Sequence, residues 1–146
     1  MKNNLEDLSK ELLQDIQKLE FEDVNTDDWE THAMMSHDKK MFFFTSDRKG
    51  GFGGRDIYMM KREGDNWSKP TNLGPGINGP NDEDSPFISV DNKTLYYASN
   101  GVKSIGGFDI LYSEINSDGS WGESKNIGYP FNSTNDDIFY TTTIDG

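Results

Sequence analysis

The chain has 146 residues, enough for one modest domain, and its 32% apolar residues and 15 glycines describe a folded but rather polar protein. Against 14 basic residues stand 26 acidic ones, and the net charge of −12 sets up a field that repels nucleic acid and anionic lipid, so neither is expected as a partner. With no cysteine there are no disulfides or thiolate zinc sites, and the two histidines, His32 and His37, read as surface imidazoles and exclude a histidine-rich metal centre.

Residues 4–19, NLEDLSKELLQDIQKL, place Leu5, Leu8, Leu12, Ile16 and Leu19 at three- and four-residue spacing behind Asn4 as N-cap. The spacing predicts one amphipathic helix within residues 1–20. Its apolar stripe is expected to dock on the rest of the domain or on a helical region upstream, because its acidic polar face suits no membrane surface. No segment approaches the roughly 18 consecutive apolar residues of a membrane span, and the N-terminus lacks a signal-peptide pattern. The chain stops at TTTIDG, where a strand reads as entering a turn, so a fragment of a longer protein is expected.

From residue 24 the pattern changes to short β-like runs separated by Gly, Asn, Asp and Pro, and these runs repeat. Residues 24–76 align with residues 77–130 at an offset of 53, becoming 54 after one inserted residue. Asn25, Glu30, Ser36, Asp38 and Ser46 match Asn78, Glu83, Ser89, Asp91 and Ser99; Gly53, Gly54, Asp56 and Ile57 match Gly106, Gly107, Asp109 and Ile110; Trp67, Asn72 and Gly74 match Trp121, Asn126 and Gly128. A third copy starts over residues 131–146, with Asn132 and Asp137 in place. Each full unit reads as four strands: THAMMS, KMFFFTSD, DIYMMKRE and WSKPTNLG, then SPFISV, TLYYASN, DILYSEI and WGESKNIG. Four strands per period are the signature of a propeller blade, and the consecutive apolar residues of MFFF and LYY suit a sheet buried on both faces. The expected fold is therefore all-β, with two full blades, the start of a third over residues 21–146, and one N-terminal helix.

The motif set, N, then an acidic residue, an apolar strand ending in S-x-D, LYYAS, GG-x-D-I and G-x-W-x-x-x-x-N-[LI]-G, resembles the TolB-type, WD40-like β-propeller repeat. It is similar to the version found in OmpA-family envelope proteins of Bacteroidota, including peptidoglycan-associated proteins of type IX secretion and gliding machinery. The resemblance implies a non-enzymatic scaffold in the periplasm or at the outer membrane, with an envelope protein as partner. A closed propeller needs about four to eight blades. The chain is accordingly expected to be a fragment, to close a ring with copies of itself, or to cover its open blade faces with the helix, and self-association or a partner follows from exposed strand edges.

Several motifs invite chemistry. The Gly-Gly loops carry Arg55 or Phe108 where a phosphate loop needs Lys and Ser/Thr, and the Asp is one position late for a calcium nonapeptide. They read instead as turns: Gly53, Gly54, Gly106 and Gly107 supply positive φ, and Asp56 and Asp109 accept backbone amides to pin the hairpin. Asp82, Glu83 and Asp84 are weak calcium candidates, since side chains of one short loop do not enclose an ion that takes six to eight oxygens. No metal, cofactor or catalysis is expected. The alternative is a glycan- or peptidoglycan-binding or glycan-hydrolysing propeller, yet SDGSWGES only loosely matches a sialidase Asp-box and the three arginines, Arg48, Arg55 and Arg62, all fall in one unit. Trp67 and Trp121 read as structural. Residues that differ between copies are the candidate partner surface: Trp29, Arg48, Phe52, Arg55, Lys103 and Phe108.

Overall fold

The computed structural model describes residues 21–142, and the helix expected over residues 4–19 lies outside them. The described chain opens with one helical turn, α1 (Phe21–Val24), and is otherwise all-β. The first repeat contains β1 (Glu30–Met35), β2 (Met41–Ser46), β3 (Asp56–Glu63), β4 (Asn66–Trp67) and β5 (Thr71–Asn72); the second contains β6 (Glu83–Ile88), β7 (Thr94–Ser99), β8 (Asp109–Glu114) and β9 (Lys125–Asn126). They form two antiparallel sheets, ordered β1-β2-β3-β4 with β5 also on β3, and β6-β7-β8-β9. Among the described residues the sheets do not close into a ring, and no helix is long and apolar enough to cross a membrane.

Matched sequence makes matched local structure. In each S-x-D turn the serine hydroxyl donates to the aspartate at 2.6 Å, and the same serine oxygen accepts the amide that opens the next strand, Met41 or Thr94, at 2.9 Å. The residue after the aspartate takes a left-handed conformation in both turns, Lys39 at φ 56° and Asn92 at φ 60°. The first strand of each repeat breaks register at the same place, with a bulge between Thr31 and Met34 and another between Asp84 and Phe87. His32 (φ 45°) and Ser85 (φ 51°) occupy these bulges, one extra residue bending each strand.

The fourth strand departs from expectation. It is realised as two short pieces, Asn66–Trp67 against the end of β3 and Thr71–Asn72 against its start. The second repeat has an isolated bridge, Ile115 to Trp121, and then Lys125–Asn126. The third copy also forms no strand among its described residues, 131–142.

The core lies between the sheets. Phe43 is fully buried with Ile57 and Met59 of the first repeat against Leu95, Tyr97 and Leu111 of the second. One residue on, Phe44 points to the opposite face with Tyr58, Met60 and Val24, so the MFFF run buries both faces of one sheet, as strand alternation requires. Trp121 packs edge-on to Phe43 with centroids 6.1 Å apart, and Trp67 meets Phe42 at 6.3 Å. Both tryptophans are thus half-buried packing residues.

Candidate interaction site at the seam between repeats

Asp56 and Asp109, each at the start of the third strand, are fully buried. Asp56 accepts the Phe52 amide at 2.6 Å and Asn72 Nδ2 at 2.8 Å; Asp109 accepts the Ile105 amide and Asn126 Nδ2, both at 2.8 Å. The amide relay continues across the seam. Asn78, which opens the second repeat, donates to Asn72 Oδ1 at 2.8 Å and clasps Ile57 of the first, taking its N–H at 2.8 Å and giving to its carbonyl at 2.9 Å. Asn132 repeats this on Asn126 and Ile110, with bonds of 2.7 and 2.8 Å. Each repeat is therefore locked by an asparagine belonging to its successor.

The glycine pairs correct the sequence reading. Positive φ falls on other glycines instead, among them Gly50 (91°) at the start of the first hairpin and the matched Gly74 (81°) and Gly128 (77°), just after Asn72 and Asn126. Gly53 and Gly54 are glycines because the next repeat's acidic loop lies on them: a Cβ at Gly53 would sit 2.2 Å from Gly79 O and 2.4 Å from Asn81 O, and one at Gly54 would sit 2.2 Å from Asp82 Oδ1. Gly106 and Gly107 meet Asn135 O at 2.6 Å and Asp136 Oδ1 at 1.9 Å in the same way. Backbone bonds then stitch the loops, Gly54 N to Asn81 O at 3.0 Å and Glu83 N to Arg55 O at 2.8 Å, with Asp137 N to Phe108 O at 2.6 Å one repeat on.

The three acidic candidates point to different partners. Asp82 accepts the Arg55 amide at 2.9 Å and its guanidinium at 3.3 Å. Glu83 is 2% exposed and accepts Gly79 N at 2.7 Å and Ser99 Oγ at 2.8 Å. Asp84, also buried, takes Arg55 Nη1 at 2.5 Å and lies 2.6 Å from His32 Nδ1. His32, read from the sequence as a surface imidazole, keeps its side chain 36% exposed and finds its partner in the buried Asp84 carboxylate. Among the described residues no group of three or more His, Cys, Asp or Glu is placed to hold a metal ion.

Three of the six candidate partner residues meet at Arg55. Its guanidinium carbon lies 5.3 Å from the Trp29 centroid and 5.6 Å from that of Phe108, within cation-π range on both sides. Trp29 is 47% exposed, so the cluster forms an aromatic and charged patch on the surface of the seam. Phe52, 49% exposed, stands on the hairpin that leads to it. The other two candidates are spent internally. Arg48 bonds to Glu30, Ser46 and the carbonyls of Asp23 and Val24, and Lys103 Nζ binds Ser124 O at 2.7 Å and Glu123 at 3.2 Å.

Replacing Arg55 with Met is expected to cost about 2 kcal/mol in urea unfolding, because buried Asp84 keeps only His32 and the Ser85 amide as partners. A loss below about 0.5 kcal/mol, the level of an exposed pair, would show that the cluster is not coupled to folding. Acid tests Asp82. Burial raises its pKa, but the hydrogen bonds and charge of Arg55 outweigh this and hold it below the usual carboxylate value. The stabilisation is complete above the ordinary value of about 3.9 and is lost as pH falls through the depressed one. The stability gap between wild type and Asp82→Asn is therefore expected to narrow on acidification from neutral pH, and a gap that is constant or widens would contradict the pairing.

Sequence reasoning registered Asn72, Asn78, Asn126 and Asn132 as repeat matches without giving them a role. The available signal was their recurrence at fixed distances from the Asp-Ile pair. No family model and no curated protein matches the chain.

Proposed function

We propose that the chain is a non-enzymatic protein-interaction module made of consecutive blades of a TolB-type, WD40-like β-propeller, acting as a rigid scaffold of the bacterial envelope in the periplasm or at the outer membrane. The observation that carries this reading is the one-way lock, in which each repeat is completed by the Asn and acidic loop of the next. A lock of this kind adds repeats in series and leaves a face for a further one. The first repeat buries Phe43 and Met59 against the second, whereas the matching Tyr96 and Tyr112 of the second are only half-buried, with Tyr140 4.6 Å from Tyr96. His32, Ser85 and Phe139, at matched positions of three successive repeats, line one cleft, as inner strands do around a propeller axis. Location and envelope partner rest on the sequence resemblance.

The test is mass by light scattering over a concentration series, together with capture of envelope proteins, for wild type and Tyr112→Glu. Association or capture that the substitution weakens supports the reading. A monomer that captures nothing, yet whose tryptophan fluorescence is quenched by peptidoglycan fragments, would favour the glycan alternative; Trp29 is the ring exposed enough to report it.

A further inference from the structure

The two complete repeats differ at the half-buried position of Arg48. In the first, Arg48 turns its guanidinium inward: Nε donates to Ser46 Oγ at 3.0 Å, Nη1 to Asp23 O at 3.2 Å, and Nη2 to Val24 O at 2.8 Å and Glu30 Oε1 at 3.2 Å. Its central carbon lies 4.9 Å from the ring centroids of both Phe44 and Tyr58. The matching residue of the second repeat is Gly101, which has no side chain to place there. A cavity of about 190 Å³ takes up the position, and its walls include Gly76, Ile77, Glu83, Ser99, Gly101 and Leu111. These match Asp23, Val24, Glu30, Ser46, Arg48 and Tyr58, so the cavity keeps the acceptor set of Arg48 without the arginine. Tyr97, the match of Phe44, is buried with Leu111 in the same core and donates its hydroxyl to Ile77 O at 3.4 Å, while Ser124 N donates to Gly76 O at 3.2 Å, so each carbonyl has one lone pair left for a further donor.

The walls are polar where a guanidinium needs them to be. Glu83 presents a buried carboxylate whose oxygens meet Gly79 N–H and Ser99 Oγ, two neutral donors. Lys103 and Ser124 both line the cavity, and the Lys103 ammonium is taken up by Ser124 O at 2.7 Å and by Glu123 at 3.2 Å rather than by Glu83. The two carboxylates differ accordingly. At Glu30 burial opposes ionisation, but the bonds from Thr26 and Ser46 and the charge of Arg48 prevail and lower the pKa. At Glu83 burial prevails, helped by the charges of Asp56 and Asp82, and raises it.

We infer that the second repeat carries a guanidinium-binding site, formed by Glu83, Ser99 and the carbonyls of Gly76 and Ile77, which takes an arginine side chain or small guanidinium compound in the place that Arg48 fills in the first repeat. The planar fork of a guanidinium matches acceptors arrayed around one plane, and its face packs on an aromatic ring, whereas a compact, strongly hydrated ammonium does neither as well.

Calorimetric titration and thermal shift with agmatine, with an acetylated Gly-Arg-Gly amide and with the neutral citrulline amide test this on the whole chain. Binding of agmatine and peptide, with none of citrulline amide, is expected; binding of the peptide alone assigns the arginine to a polypeptide source. Glu83→Gln is expected to weaken binding on the order of tenfold or more, through loss of the buried charge partner. Gly101→Arg is expected to raise the Tm and abolish binding by filling the cavity from within. Its backbone is outside the left-handed region, and the nearest atom to a new Cβ is Ser99 Oγ at 3.2 Å. No response to either guanidinium compound, an equal response to citrulline amide, or undiminished binding by Glu83→Gln would overturn the assignment.

Discussion

Gly53→Ala is expected to destabilise the chain by about 3 kcal/mol or more, the upper range for overpacking. The new methyl group would meet backbone on three sides, Gly79 O at 2.2 Å, Asn81 O at 2.4 Å and the Pro80 carbonyl carbon at 2.6 Å. No rotamer change relieves such contacts, so the acidic loop must lift off the hairpin and break the Gly54 to Asn81 bond of 3.0 Å with it. Gly64→Ala is the control: its φ is +65° and nothing lies within 4 Å of a new Cβ, so its cost is conformational, about 1 kcal/mol. Urea unfolding of the two variants checks the difference. Equal losses would mean that close approach across the seam is not what requires Gly53.

Asn78→Ala is expected to cost about 3 kcal/mol. Asn78 is 1% exposed, and its removal leaves the buried Ile57 N–H without its acceptor. The Ile57 carbonyl still accepts from Leu73 N at 3.2 Å, so the amide donor carries most of the loss, with the severed relay to Asn72 adding to it. Asn78→Asp is expected to rescue little. A carboxylate can accept from Ile57 N–H, but it cannot donate to Ile57 O or Asn72 Oδ1, and it adds a buried charge. Because Asn78 belongs to one repeat and Ile57 to the other, the variant is also expected to lower cooperativity, broadening the transition measured by tryptophan fluorescence and far-UV dichroism. A loss under 1 kcal/mol, or full rescue by Asp, would remove the clasp from the account of how the repeats hold together.

These two sites explain why the repeat keeps the residues it does. The glycine pair admits the next repeat's loop, the Asn behind that loop clasps the strand it reaches, and the Asp at the strand's start anchors the relay. Repeats joined in this way present their varied residues at fixed separations, as the proposed scaffold role requires. The cluster of Trp29, Arg55 and Phe108 on the outside of the seam and the cavity beside Gly101 are both places where one repeat departs from the other, so both are individual to a position in the series.

Most strand positions were legible in the sequence, because they depend on local chemistry: S-x-D turns, Gly-rich hairpins and a period-two burial pattern that the MFFF run doubles over both faces. The fourth strand was not, since its backbone pairs only at the two ends of the third. Asp56 and Asp109 were legible as hairpin anchors through their spacing from the glycines. The roles of Gly53 and Gly54 were misread as local because a turn explains a glycine pair as well as a close approach does, and only the neighbouring loop tells them apart. Arg48 looked like a surface residue for a similar reason: an arginine after a strand usually points outward, and its acceptors, Asp23 O and Val24 O, lie more than 20 residues away.

What the sequence by itself determined was the repeat, its all-β content and the order of its strands, since each is set by contacts between residues close along the chain or by a period that survives without coordinates. Only the tertiary structure decided that Asn78 completes the preceding repeat, that Arg55 sits between two aromatic rings and two carboxylates, and that the site filled by Arg48 stands open at Gly101. Those depend on which side chains meet across the seam between sheets: recurrence marks Asn78 and Asn132 as repeat positions, but not the residues they bond, which lie 21 positions away for Asn78, and the His32 to Asp84 pair, 52 positions apart, does not recur at all.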